Sequence, residues 1–368
     1  MVSLTENSLL IKKRVILVRM GGELGIKSRQ TRRRMVNLLK HNIKTLLQGT
    51  SGYKIVNFRN RLIVYHESKS NLDKVAHLIA HSVSGISSTS VVYVVHATKK
   101  SIISGGLSEA LTIIQPYESF AVRVRREGNH PFGSMDIARE LGEKILSSQL
   151  EGLKVNLDNP DREIFLDIRG SLAFIFSTIH GGMDGIPTYS QGSAITLIRP
   201  NLNSIIAAWL MKKRGVNIIP VFFRTGKPSE EEFEKYLQSE FNTLPIDVSI
   251  KELLERFKDR LSLCLYCTIF CELLCQNIAT ERELTTIISP TCFNFNSETS
   301  SLEALKILEN EAFLAVIRPI QFGFFNPKFE IDYLDQKSCC NHRSKVSLQD
   351  EDFDNLELTE LLSFNSKR

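Results

Sequence analysis

Apolar and polar residues alternate along this chain with two different periods, and the switches between them mark out the elements. "RVILVRMG" (14–21) is β-branched and apolar, which predicts a strand. Met35, Leu39, Ile43 and Leu46 then recur at helical spacing, which predicts a helix with one buried face and a basic opposite face. "YKIVNFRNRLIVYHE" reads as a hairpin turning near Asn60, and "NLDKVAHLIAHSV" as a second helix. The order β-α-β-β-α is that of a ferredoxin-like split unit.

A second unit begins at "STSVVYVVHAT", a strand, followed by the helical "ISGGLSEALTII". In "SFAVRVRRE", Phe120, Val122 and Val124 alternate with Arg123 and Arg125, the pattern of a half-buried strand with a basic outer face. "SMDIARELGEKIL" (134–146) is an amphipathic helix with Ser134 as expected N-cap. "KVNLDNPDREIFLDIRGSLAFIFS" reads as two strands joined at Asn159-Pro160, and "IHGGMDGIPTYSQG" (179–192) as a linker. Beyond it, "AITLI", "SIIAAWLMKKRG", "VNIIPVFF", "SEEEFEKYLQSEF", "LPIDVSI" and "KELLERFKDRL" alternate strand and helix, which predicts a doubly wound parallel sheet. The fold class expected is therefore α/β.

Charge changes the picture by its distribution. Residues 1–180 carry 26 Lys and Arg against 15 Asp and Glu, while residues 181–368 carry 20 against 26. A basic excess confined to one half suits a polyphosphate partner. The candidates are Lys27, Arg29, Arg32, Arg33, Arg34, Arg123, Arg125 and Arg126. No apolar run reaches the roughly 20 residues needed to span a bilayer, and seven cysteines without a signal segment argue against a disulfide framework. A cytoplasmic protein without membrane association is expected. Six acidic residues between Asp350 and Glu360 make an acidic tail.

Three segments, in order, resemble one family. "GGELGIKSRQTRRRM" is similar to the opening of the N-terminal ferredoxin-like domain of tRNA 4-thiouridine synthetases, also called tRNA sulfurtransferases. "FAVRVRREGNHPFGSMDIARELGEKI" with "VNLDNPDREIFLDIR" resembles a THUMP domain, an RNA-binding module. "AAWLMKKRGVNIIPVFF" resembles a helix and strand of the family's PP-loop ATP pyrophosphatase domain. The domains this implies are 1–76, ferredoxin-like; 77–180, THUMP; 181–345, PP-loop-like; and 346–368, the acidic tail. It also implies tRNA as partner, gripped at its acceptor-stem end, with a sulfur-donor protein or a catalytic paralogue and a homodimer as further partners.

The departures from the family lie at the expected nucleotide site. Its S-G-G-x-D-S loop falls here on Arg199, Pro200, Asn201, Leu202, Asn203 and Ser204, of which only Ser204 matches. Proline deletes an N–H donor, Asn201 places a Cβ where the family has bare backbone, and Asn203 lacks the carboxylate a hard cation prefers. Leu197 and Ile198 end the strand before this loop, and Phe222 and Phe223 end the next one. Ser289-Pro290 replaces the family's later Gly-Glu and Glu298 its Gln, while Thr268 and Ile269 follow Cys264 and Cys267 where cations would touch phosphate. Arg318-Pro319 keeps the family's pattern.

Cys339 and Cys340, beside His342, lie near the family's reactive cysteine and serve as sulfur carrier or as a plain loop pair. Cys264, Cys267, Cys271 and Cys275 suit one face of a packed helix as well as a ligand set, and no metal is assigned. The first expectation is a tRNA-binding member of the family, involved in tRNA thiolation but unable to adenylate. The alternative is an active ATP-dependent tRNA sulfurtransferase, with ATP and magnesium held through altered contacts and Arg199 standing in for the glycine backbone. A THUMP methyltransferase is disfavoured, because no glycine-rich cofactor loop precedes an N/D-P-P-Y type motif.

Overall fold

Strand β1 (Arg14–Met20) is the apolar run after Lys12-Lys13, and alternate residues of it serve two cores. In the computed structural model, the residues described are 10–48, 52–66, 71–227, 230–241, 243–256, 263–291, 306, 308–310 and 312–319. They divide into two units, Met1–Pro187 and Thr188–Arg368.

In the first unit β1 is followed by a helical turn, α1 (Gly22–Gly25), and by α2 (Arg29–Leu46), capped by the Ser28 hydroxyl, which accepts from Thr31 N at 3.3 Å. Next come β2 (Tyr53–Phe58), β3 (Arg61–His66), α3 (Leu72–Ser82), β4 (Ile86–His96), α4 (Lys99–Ile113), β5 (Ser119–Glu127), α5 (Ser134–Leu146), β6 (Lys154–Val155), β7 (Arg162–Arg169), β8 (Leu172–Phe176) and β9 (His180–Gly181). One sheet takes them all, in the order β2-β3-β1-β4-β8-β7-β5-β6, with β9 paired to β4. Because β4 pairs with both β1 and β8, the ferredoxin-like and THUMP regions share this sheet. Position 76/77 lies inside α3.

Three local readings are corrected. The segment 154–176 contains β6, β7 and β8, and the β7–β8 hairpin turns at Gly170, whose φ of 56° costs glycine nothing. The stretch 179–192 is a linker only in part: His180 and Gly181 add β9, and Gly182 N and Asp184 N donate to the carbonyls of Ser87 and Ile86. The N-cap of α5 is Gly133 rather than Ser134, and Gly133 N donates to Asp136 Oδ2 at 2.9 Å.

Helices cover one face of the sheet. Ile16, Val18, Leu62 and Val64 pack there with Met35, Leu39 and Ile43 of α2, and Ile164, Leu166, Ile168 and Ile175 with Ile137, Leu141 and Ile145 of α5. The opposite face coils onto itself: Val15, Leu17 and Ile63 meet Phe58, Phe174 and Phe176 in a second core. The coiling brings Arg61 of β3 to 3.7 Å from Asp167 of β7, strands four places apart in the sheet.

The second unit contains β10 (Ser193–Ile198), α6 (Leu202–Lys213), β11 (Asn217–Arg224), α7 (Glu230–Phe241), β12 (Ile246–Ser249), α8 (Lys251–Arg256), α9 (Leu263–Glu281), β13 (Thr286–Ile288) and β14 (Ala315–Ile317). The described strands form a parallel sheet, ordered β12-β11-β10-β13-β14, as the strand–helix alternation predicts. Core lies on both faces. Ile198, Ile205, Phe222 and Phe233 form one cluster, and Leu197, Phe223, Cys267, Cys271 and Cys275 belong to the other.

Candidate functional site

Two regions hold the residues singled out from the sequence. In the first unit, α2 buries Met35, Val36, Leu39 and Ile43 and turns its basic face outward. Lys27, Arg29, Arg33 and Arg34 are exposed and Arg32 half-buried, and none makes an ion pair among the described residues. On β5, Arg125 and Arg126 are exposed, Arg126 Nη1 donating to Gly128 O at 3.0 Å. Arg123 is committed to the fold: its Nε donates to Glu163 at 2.7 Å and its Nη2 to Leu157 O at 2.6 Å. It is thereby a weaker phosphate donor than its neighbours, since its directional N–H groups are largely spoken for.

Arg19, Arg61 and Arg169 were missed as site residues. They join Arg125 around Asp167 at the end of the coiled face, next to a cavity of about 620 Å³ lined by Arg19, Arg123, Arg125, Ser134, Met135 and Phe176, among others. Desolvation lowers the Arg19 pKa to about 10, and Arg61, Arg125 and Arg169 push the same way against Asp167. The signal in the sequence was a charge at the end of an otherwise apolar strand, as in "RVILVRM" and "EIFLDIR".

In the second unit the loops after β10, β13 and β14 lie at the C-terminal strand ends, where α/β sheets hold ligands. Leu197, Ile198, Phe222 and Phe223 bury their side chains in core, so only their backbone could meet a ligand. Asn201 is the N-cap of α6. Its Oδ1 accepts from Ser204 N at 2.9 Å and from Ser204 Oγ at 3.0 Å, while Ser204 Oγ also accepts from Arg199 N at 2.9 Å. Arg199 Nη2 donates to Thr268 Oγ1 at 3.2 Å, and Asn203 forms part of the first turn of α6.

Ser289 is fully buried, its Oγ donating to Glu272 Oε1 at 2.5 Å. Glu272 also takes Arg318 Nη2 at 2.7 Å, both side chains being 2% exposed, and Arg318 Nη1 bonds Glu309. Burial raises the Glu272 pKa even against the attraction of Arg318. Cys267, Cys271 and Cys275 line the sheet-facing side of α9, and burial pushes the thiols of Cys271 and Cys275 up, away from the reactive thiolate. Glu298, Cys339, Cys340 and the acidic tail lie outside the described residues. Among the described helices none is long and apolar enough to cross a membrane.

Comparison with known proteins bears on the domains and the fold. The model of the ThiI ferredoxin-like domain matches residues 15–90, and that of the THUMP domain residues 110–178. A probable tRNA sulfurtransferase of Methanosarcina mazei is 38% identical over 222 residues, which cover 59% of this chain and 53% of the relative. A tRNA sulfurtransferase of Desulfurococcus amylolyticus is 26% identical over 348 residues, 90% of this chain and 69% of the relative. In fold, the chain resembles the crystal structure of a 4-thiouridine synthetase–RNA complex with bound ATP, with TM-score 0.66, 22% identity and coverage of 84% and 81% of the two chains. The chain spans about half the length of the first curated relatives it matches. The first unit is thus similar to the ferredoxin-like and THUMP domains of the tRNA 4-thiouridine synthetase, or tRNA sulfurtransferase, family, and the second unit is a parallel α/β sheet.

Proposed function

We propose that this protein binds tRNA through its first unit and takes part in tRNA thiolation without adenylating uridine itself. One contrast carries the reading. The exposed arginines of α2 and β5 are available to an outside anion, whereas Arg199 and Arg318 at the strand ends of the second unit are bonded to Thr268, Glu272 and Glu309.

ATP is the cofactor the family implies, and the loop after β10 fits it poorly. A phosphate at a helix N-terminus needs free backbone N–H groups. Asn201 and Ser204 already accept from the N–H groups of Ser204 and Arg199, and Pro200 has none to give. Arg318, the cation retained from the family pattern, neutralises a buried carboxylate.

RNA binding of this kind rests on backbone phosphates and duplex shape, because the deep major groove of A-form RNA hides base edges. The acceptor-stem end as target, a separate sulfur donor or catalytic paralogue, and the cytoplasm as location belong to the same reading. The test is fluorescence anisotropy of labelled tRNA at several salt concentrations. Tight binding with log Kd rising linearly in log salt is expected, and absence of binding, or binding indifferent to salt, would overturn the reading.

A further inference from the structure

The end of the coiled sheet face holds more positive charge than the fold neutralises. Arg19 and Arg61 are direct cross-strand partners in the β1–β3 register, a like-charged pair that is unfavourable unless an anion lies between. Arg125 is in register with Asp167 on the neighbouring parallel strand, and Arg169 follows Asp167 on the same side of β7. Asp167, 4% exposed, accepts from Arg169 Nε at 2.9 Å and lies 3.7 Å from Arg61 Nε. Arg169 also pairs with Glu127. The buried carboxylate thus contacts two guanidinium groups, those of Arg169 and Arg61, with Arg125 in register beside it and Arg19 within its electrostatic reach.

Arg19 is held rigidly. Its Nη1 donates to Ser90 Oγ at 3.0 Å and, more weakly, to Ser88 Oγ at 3.4 Å, and its guanidinium sits 4.5 Å from the Phe176 ring centroid. Yet its Nη2 is buried with no hydrogen-bond acceptor among the described residues, and Arg61 Nε has only the 3.7 Å ion pair with Asp167. Buried charged donors without partners are rare, because the desolvation of each goes uncompensated. The adjoining cavity, lined by Arg19, Arg125 and Asp167, offers an acceptor a place.

We infer that Asp167 is a positioning residue: anchored by Arg61 and Arg169, it fixes Arg19 and Arg125 for a phosphate group of the bound RNA. The inference rests on the tRNA-binding reading for the identity of the ligand. The logic is that of a second layer that orients the groups touching the ligand, with arginine forks chosen because they match phosphate oxygens in pairs.

Asp167→Asn separates positioning from bulk electrostatics. It removes a negative charge beside an RNA phosphate, so a purely electrostatic account predicts tighter binding. Positioning predicts the opposite, a Kd for labelled tRNA about tenfold weaker, the loss of one charge-assisted contact. Glu163→Gln, which removes a carboxylate from the same strand and frees Arg123, serves as control and is expected to bind as well as wild type or better.

Should Asp167→Asn fail to fold, Arg19→Lys decides: it keeps the charge, loses the fork, and is expected to weaken binding several-fold at an unchanged salt slope. Wild-type affinity in either folded variant overturns the proposal. Thermal shift with inorganic pyrophosphate separates the two readings, with wild type stabilised and Asp167→Asn not. That pattern in a protein that fails to bind tRNA would keep the phosphate site and sink the tRNA reading. Equal stabilisation of both proteins, or of neither, would sink the site.

Discussion

The two units use the same side chain in opposite ways. In the first, basic side chains outnumber carboxylates: α2 presents Arg29, Arg33 and Arg34 to solvent, and four guanidinium groups gather near Asp167. In the second, Arg318 is sealed against Glu272, and Arg224 is shared between Glu234 and Asp247. An arginine bonded inside the fold contributes structure. One left short of acceptors is a standing demand for an anion. The sign of the local charge balance, more than the number of arginines, separates a surface that recruits phosphate from one that does not.

The largest effect should come from breaking the sealed side. Arg318→Ala leaves the Glu272 carboxylate buried without the cation that pairs it, and should lower the unfolding free energy of the second unit by about 3–5 kcal/mol in urea titrations, while the anisotropy of bound tRNA changes little. On the open side the order reverses. Arg125→Ala should weaken tRNA binding about tenfold and flatten the salt slope by about 0.7 to 0.9 with no change in melting temperature. Arg123→Ala should do less to binding, because Glu163 and Leu157 already hold that side chain.

Smaller effects sharpen the comparison. Asn201→Ala removes the cap of α6 and should cost about 1 kcal/mol in urea titrations, without creating nucleotide affinity, since Pro200 still lacks its N–H. The smallest is a pH effect. Burial raises the folded-state pKa of Glu272 above its ordinary value of 4.5, so the folded protein keeps that proton to higher pH than the unfolded chain does. The contribution is therefore full below the unfolded value and is lost as pH rises through the folded one. Wild type should lose stability relative to Glu272→Gln across that window, and parallel pH profiles of the two would contradict the assignment.

Much of this was legible in the chain itself. The helical spacing of Met35, Leu39 and Ile43 located α2 and its basic back, and the strand–helix alternation after 190 located the parallel sheet, because both patterns arise from contacts within one element. The Arg-Pro-Asn sequence at the end of β10 was visible as unlike a phosphate loop, but that Asn201 and Ser204 close it upon itself needed coordinates. The cluster around Asp167 was hidden because its members sit on β1, β3, β5 and β7 and meet only through register and sheet coiling. The β7–β8 hairpin was hidden too, since Gly170 turns it in two residues while Asn159-Pro160 displayed the stronger turn signal.

The central claim is that the first unit holds tRNA while the strand ends of the second unit no longer serve ATP. It is tested most directly by incubating the purified protein with labelled ATP, magnesium and saturating tRNA and measuring AMP and pyrophosphate released. No release above a protein-free control, with tRNA bound throughout, is the predicted result. Turnover that requires both ATP and tRNA would contradict it and show that the second unit adenylates tRNA through altered phosphate contacts.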